Sequence, residues 1–457
     1  MYKKINDMAY TDFIAAIDLG TSRIVGMVGK KNEHGVLSII AYEVENSGNC
    51  IRRGCVYNVE ETANKIKRLV RKLENKLHEA KIEKVYVGVG GQSLRSINHT
   101  VPRVLGTEGV VTDEIISSLH AECLNFHPDM LDVLAAVSPV YYLDNKPEAN
   151  PVGIPCTRIE AKYKLIVGRP SLKRHIINSI AERAQITIAG IIVSPLALSD
   201  AVLNDDERDL GCALISFGAG VTTLTVYKGG KLLHLSVIPL GSNLITRDIT
   251  SLHLPESEAE RVKQTYGSAM MDQDNDQSIQ VSQADGLGMR EIKLSDLNNV
   301  VEARMGEILE NVYARLDAIE MEGTLGAGIV ITGGGAALKS LPEVIRKRTK
   351  MEVRYAATRR GIVASGDLEA GNPSYASAVG LLLNGTENCA GYVPPAYVVE
   401  PGPFMEDPIE VPPMPKSEPV KPSKPKPEKK QGGLLKNLSS KFDSMTRNLF
   451  DDNEDKS

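Results

Sequence analysis

Two stretches of this chain read as one unit written twice. "AAIDLGTSRIVGMVGK" (15–30) and "ALISFGAGVTTLTVYKGG" (213–230) align at one constant offset, pairing Asp18 with Ser216, Gly20 with Gly218 and Lys30 with Lys228. Each starts as an apolar strand, bends at small residues and returns as a second strand. A repeated hairpin of this kind restricts the fold to two similar halves arranged around a central cleft.

The segments between and after the repeats alternate strand and helix patterns, which predicts an α/β architecture. After the first hairpin come an amphipathic helix over Val59 to Ala80, a strand over Lys84 to Gly91, a helix near Asp113 to Phe126 and the strand "DVLAAVSPVYYL". The helix "SLKRHIINSIAERA" and the strand "ITIAGIIVSP" follow. Beyond the second hairpin, the patterns predict a charged helix over Glu256 to Tyr266 and a long helix near Leu294 to Met321. The strand "GIVIT" then runs into "GGG" and a helix opening "AALKSLPEVIRKR".

Strand-to-turn junctions rich in glycine let backbone amides approach a phosphate closely, because no Cβ stands in the way. Three occur here: Asp18 to Arg23, Gly218-Ala219-Gly220, and Gly333-Gly334-Gly335. The first two suit the phosphates of a nucleotide and the third its adenosine. One such turn is weak evidence. Three in this strand order form a pattern.

Composition excludes several alternatives. A net charge of -5 argues against broad nucleic-acid binding, so any basic function must be local. The six cysteines are scattered with no paired CxxC spacing, and no apolar leader core lies near Met1, as expected of a reduced, cytoplasmic protein. The apolar run from Leu210 to Tyr227 is interrupted by glycines and hydroxyl residues, and reads as strand, turn and strand rather than a membrane span. His120, Cys123 and His127 have a spacing that could place two or three ligands on one helix, yet no fourth ligand is evident, and a structural role is expected. "DQDNDQ" (272–277) starts like a calcium loop but has Gln277 and Gln283 where glycine and glutamate belong, so it reads as a solvated loop.

On these motifs the chain resembles the actin-like ATPase superfamily and, within it, the FtsA family of bacterial cell-division proteins, from about Phe13 to Gly385. "PVYYLDNKPEANPVGIP", "AERVKQTYG", "VVEARMGEIL" and "YASAVGLLL" carry the resemblance beyond the glycine turns. The resemblance implies a two-lobed actin-like fold with ATP and Mg²⁺ in the cleft. It further implies a first lobe over 12–89 and 161–205 with an inserted subdomain 1C at 90–160. The second lobe would span 206–255 and 326–390, with subdomain 2B at 256–325. By the same resemblance Asp18, Gly20, Thr21, Ser22 and Arg23 form the first phosphate loop and Gly218, Ala219 and Gly220 the second. Glu260 and Lys263 reach ribose and adenine, and Gly333, Gly334 and Gly335 receive the adenosine. Asp18 would serve Mg²⁺ through water.

One departure stands out: Ser216, Val221 and Thr223 replace the Asp, Thr and Asp of typical relatives. Mg²⁺ favours carboxylate and water oxygens, and an attacking water needs an acceptor to orient it. Nucleotide binding with weak ATPase activity at most is the expectation.

Twelve of the chain's 24 prolines fall within 391–432, which reads as a disordered linker. It leads to "GLLKNLSSKFDSMTRNLF" (433–450) and an acidic tail at 451–457. Leu434, Leu435, Leu438, Phe442, Met445, Leu449 and Phe450 fall on one stripe of an amphipathic helix, with Lys441 beside it and six lysines within 416–430. Such a helix suits an anionic membrane surface or a partner's groove, and the long tether and the lysine run beside it favour the membrane. The family resemblance implies partners as well: the FtsZ C-terminal tail on 2B, where Arg304 matches a basic residue, self-association through 1C and 2B, and later division proteins. It places the protein on the cytoplasmic face of the membrane at the division site.

Overall fold

A computed structural model of the chain describes residues 12–391 except 79, 108, 272–276, 283–287, 321–323, 359–360 and 365–372. The linker, the amphipathic helix and its membrane-binding residues, and most of the "DQDNDQ" loop lie outside the described residues.

The first hairpin is β1 (Ile14–Leu19) and β2 (Arg23–Lys31), followed by β3 (Leu37–Asn46) and a tight ribbon of β4 (Ile51–Arg52) and β5 (Cys55–Val56). α1 (Val59–Lys76) then leads to β6 (Lys84–Val89). Asn58 caps α1, its side chain accepting from Glu61 N, and Ile66, Leu69, Val70 and Leu73 recur at helical spacing on the buried face. The helix stops at Lys76, short of the Ala80 expected from its pattern, and Leu77 caps it.

β7 (Arg95–Val104), α2 (Asp113–Leu124), β8 (Asp132–Leu143), β9 (Lys146–Glu148) and β10 (Arg158–Gly168) form an inserted unit with its own core around Leu119, Tyr163 and Leu165. His127 lies beyond the end of α2, so the three spaced His/Cys residues do not share a helix. The thiol of Cys123 is buried in this core and pushed up to about 11 by desolvation.

α3 (Ser171–Ile177) continues into a π-helical turn, Asn178–Ala184, closed by left-handed Gln185. β11 (Thr187–Val193) ends one residue before Ser194, and Ser194-Pro195 open α4 (Ser194–Val202) rather than prolonging the strand. Proline in the first turn lacks only an N–H that the helix does not use there. α5 (Asp205–Leu210) closes this half with a capping box between Asn204 and Glu207.

The second half repeats the pattern with β12 (Cys212–Phe217), β13 (Thr222–Lys228) and β14 (Lys231–Ile238). α6 (Asn243–Ile249), α7 (Glu256–Tyr266), the β15 (Ser278–Ser282) and β16 (Met289–Lys293) hairpin, and α8 (Leu294–Asp317) come next. β17 (Ile329–Thr332), α9 (Leu341–Thr349) and β18 (Val353–Tyr355) complete it, and β19 (Ile362–Ala364) and α10 (Ala376–Asn384) return to the first half. The helix expected directly after the glycine run is split. Gly334–Ala337 make a single 3₁₀ turn, Ser340 takes a left-handed φ of 60°, and α9 starts only at Leu341, with Pro342 in its first turn.

The duplication is exact in register. Asp18 faces Val25 and Leu19 faces Ile24, as Ser216 faces Thr223 and Phe217 faces Thr222. The sheets share an order as well: β11-β6-β1-β2-β3 in one half and β18-β17-β12-β13-β14 in the other. Each is extended at its far edge. β19 joins β3, while β14 meets β7 at Ser236 and Arg95, so the inserted strands continue the second sheet rather than the first.

Strand alternation divides the core. Along β12, Cys212 and Leu214 join a cluster with α4 and α10, whereas Ala213, Ile215 and Phe217 face a second cluster with α6 and α8. α10 crosses α4 closely because Gly380 has no Cβ to strike the Ala197 carbonyl. No helix among the described residues is long and apolar enough to cross a membrane.

Candidate functional site

A cavity of about 890 Å³ opens between the two hairpin turns. It gathers all the residues expected to hold a nucleotide: Asp18 and Gly20 to Arg23, Gly218 to Gly220, Glu260, Lys263, and Gly333 to Gly335.

The two turns have the same backbone. Gly20 N donates to Arg23 O at 3.0 Å, and Gly218 N to Val221 O at 2.9 Å. A Cβ on either glycine would lie 2.6 or 2.8 Å from that same carbonyl. The turns also meet across the cleft: a Cβ on Gly220 would lie 2.6 Å from Thr21 Oγ1 and 3.0 Å from Arg53 Cα. Thr21 Oγ1 in turn accepts from Gly54 N at 2.9 Å. Gly333 has φ 87° and sits against Phe217, whose carbonyl a Cβ there would approach to 2.5 Å. The third glycine turn is thereby packed directly on the second.

Asp18 lines the cavity half-buried at the end of β1, and desolvation raises its pKa to about 6 even though Arg23 and a hydrogen bond from Ser194 act the other way. Arg23 is partly engaged elsewhere, its Nη2 donating to Ser374 O at 3.1 Å with the guanidinium 5.3 Å from the Tyr375 ring centre. Opposite Asp18, Ser216 and Thr223 line the wall without adding a carboxylate.

α7 contributes the other polar end. Lys263 is only 6% exposed, and its Nζ donates to Glu260 Oε2 at 2.6 Å, Thr246 Oγ1 at 2.8 Å and Ser242 O at 3.3 Å. Thr246 Oγ1 donates to Glu260 Oε2 at 2.5 Å. Burial opposes the charge on Glu260, but these donors outweigh it and hold the carboxyl below its ordinary pKa. Glu260 and Lys263 therefore form a fixed, charged pair at the cavity wall.

Sequence reasoning missed several members. Ser194 bonds Asp18, and Thr246 locks Glu260. Ser242 N and Asn243 N donate to Gly218 O and Ala219 O, both at 2.9 Å, and so hold the second turn from behind. Ser and Thr hydroxyls carry no periodic signal, although the duplicated strand order could have directed attention to the loop after β14. Arg304 lies away from the cavity on α8, paired with Asp248 at 2.5 Å and with Glu307.

Duplicated sheets, two helices crossing between them and three glycine turns around one cleft define an actin-like α/β protein. The architecture matches a solved PilM-PilN type IV pilus biogenesis complex, with TM-score 0.57 and 16% identity over 82% of this chain and 98% of that one. That likeness is one of fold. The family described as "Cell division protein FtsA" matches residues 213–380. Cell division protein FtsA of Porphyromonas gingivalis is 37% identical over 381 residues, 83% of this chain and 79% of the relative. The FtsA of Neisseria meningitidis serogroup B is 30% identical over 375 residues, covering 81% and 89%. This chain belongs to the FtsA family of cell-division proteins.

Proposed function

We propose that the chain binds ATP in the cleft between its two hairpin turns and tethers filaments of FtsZ to the cytoplasmic face of the membrane at the division site, recruiting later division proteins. The convergence of three glycine turns from two sheets on one cavity carries the nucleotide reading. The amides of Gly20 and Gly218 close their own turns, so the next ones along, of Thr21 and Ser22 and of Ala219 and Gly220, are those that suit phosphate oxygens, and Glu260 with Lys263 suits the sugar and base. Near the phosphates Asp18 is joined by hydroxyls only, which fits a Mg²⁺ held chiefly by water and phosphate oxygens. With no second carboxylate beside Asp18 among the described residues to orient a water, hydrolysis is weak at most.

In the membrane reading, the stripe Leu434, Leu435, Leu438, Phe442, Met445, Leu449 and Phe450 with Lys441 enters an anionic leaflet. The proline-rich linker supplies slack, and insertions that are weak singly add up when subunits align in a polymer. Residues 90–160 and 256–325 would act as subdomains 1C and 2B in self-association, with the FtsZ tail docking on 2B near Arg304. Vesicle flotation with FtsZ present tests the tether. The full chain is expected to carry FtsZ to anionic vesicles, and a chain truncated after Gly432 to leave both in solution. Flotation by the truncated chain would overturn the anchor.

A further inference from the structure

At the root of the inserted sheet a separate concavity of about 310 Å³ is lined by Gln92, Ser93, Arg95, Leu131 and Arg169. Its composition follows from register. Arg95, Val167 and Val133 stand in one row across β7, β10 and β8. Ser93, Arg169 and Leu131 lie just beyond the ends of these strands and line the same concavity as Arg95. Asp132, paired with Gly168, belongs to the row between and so points to the other face.

The wall offers donors and almost no free acceptors. Ser93 Oγ accepts from Arg169 N at 3.2 Å, which leaves its O–H to donate. Gln92 Oε1 accepts from Arg53 Nη1 at 3.2 Å, which leaves its NH₂ to donate. Elsewhere on the insert, Arg103 and Arg158 pair with Glu122 and Glu160. Arg95 and Arg169 have no such carboxylate among the described residues, and none lines their cavity. Both guanidiniums are exposed, so water screens their mutual repulsion, while an anion between them would be attracted by both.

We propose that this cavity binds a small phosphate-bearing ligand, its oxygens held by Arg95 and Arg169 and by the free donors of Ser93 and Gln92. Guanidinium forks match the geometry of a tetrahedral oxyanion. The site lies outside the nucleotide cleft, although Arg53, which holds Gln92, also abuts Gly220.

The test is calorimetric titration of the full chain with inorganic phosphate, with succinate as a carboxylate control. Saturable phosphate binding is expected, weakened about 10-fold or more in Arg95→Gln/Arg169→Gln, as befits loss of charge-assisted bonds. It should persist without Mg²⁺ in Ser216→Asp, whose added carboxylate repels phosphate from the nucleotide cleft instead. Ser93→Ala, a milder change, should weaken phosphate by a smaller factor and keeps the site testable if the double variant fails to fold. Undiminished binding in the arginine variant, loss of binding in Ser216→Asp, absence of saturation, or succinate binding as tightly as phosphate would each overturn the assignment.

Discussion

The turn after β1 and the turn after β12 share a backbone and differ in almost every side chain. Asp18, Thr21, Ser22 and Arg23 stand in the first where Ser216, Ala219, Gly220 and Val221 stand in the second. The hydrogen bond that closes each turn involves only main-chain atoms, so it survives any such exchange. What the side chains decide is charge and clearance. The first turn carries the carboxylate and the guanidinium; the second is neutral and is small where it meets its partner. A main-chain turn can thus be symmetric while the chemistry around it is one-sided.

Clearance gives the largest effect. Ser22 is tolerated in the first turn, but at the matching Gly220 a side chain would collide with Thr21 and the Arg53 backbone. Gly220→Val is expected to lower ATP affinity by about 100-fold or more, the scale of losing several charge-assisted bonds at once. Equilibrium titration with a fluorescent ATP analogue reads this directly, and wild-type affinity in the variant would break the contrast.

Charge comes next. The folded-state pKa of Asp18, about 6, lies above its ordinary 3.8, so the folded protein holds a proton that the unfolded chain releases as pH rises between those values. Stability is lost across that window, and the penalty is complete above pH 6. Asp18→Asn should therefore stabilise the nucleotide-free, metal-free protein by about 1–3 kcal/mol at pH 7.5, with the gain fading towards pH 4. Denaturant unfolding at both pH values checks it, and a variant less stable than wild type at pH 7.5 would show that Asp18 is not strained.

The smallest effect is in turnover. Ser216→Asp places a carboxylate opposite Asp18 and makes the turns chemically alike. ATP hydrolysis should rise by about 10-fold and become more Mg²⁺-dependent, since a second carboxylate both binds the metal and orients water. A phosphate-release assay over a Mg²⁺ series measures this. No change would mean that something other than the missing acid limits hydrolysis.

Much of this was legible beforehand because it is local. The repeat, the glycine turns and the helical stripe of α1 depend on spacing along the chain, and period 2 or 3.6 survives in the sequence. The errors occur where local signals compete. The apolar pattern carries the strand through Ser194-Pro195, yet proline suits a helix's first turn, and α4 begins there. The run after Gly335 had helical spacing, but Ser340 adopts a left-handed backbone that interrupts it.

By itself the sequence determined the elements, their duplication and the small residues at each bend, since these rest on short-range sterics and alternation. Only the tertiary structure decided that the inserted strands extend the second sheet through Ser236 and Arg95, that Thr246 fixes Glu260 and Lys263, and that Ser194 reaches Asp18. These contacts join residues far apart in the chain or on different elements. Their energy comes from burial and from completing hydrogen bonds away from water, and a linear pattern does not encode it.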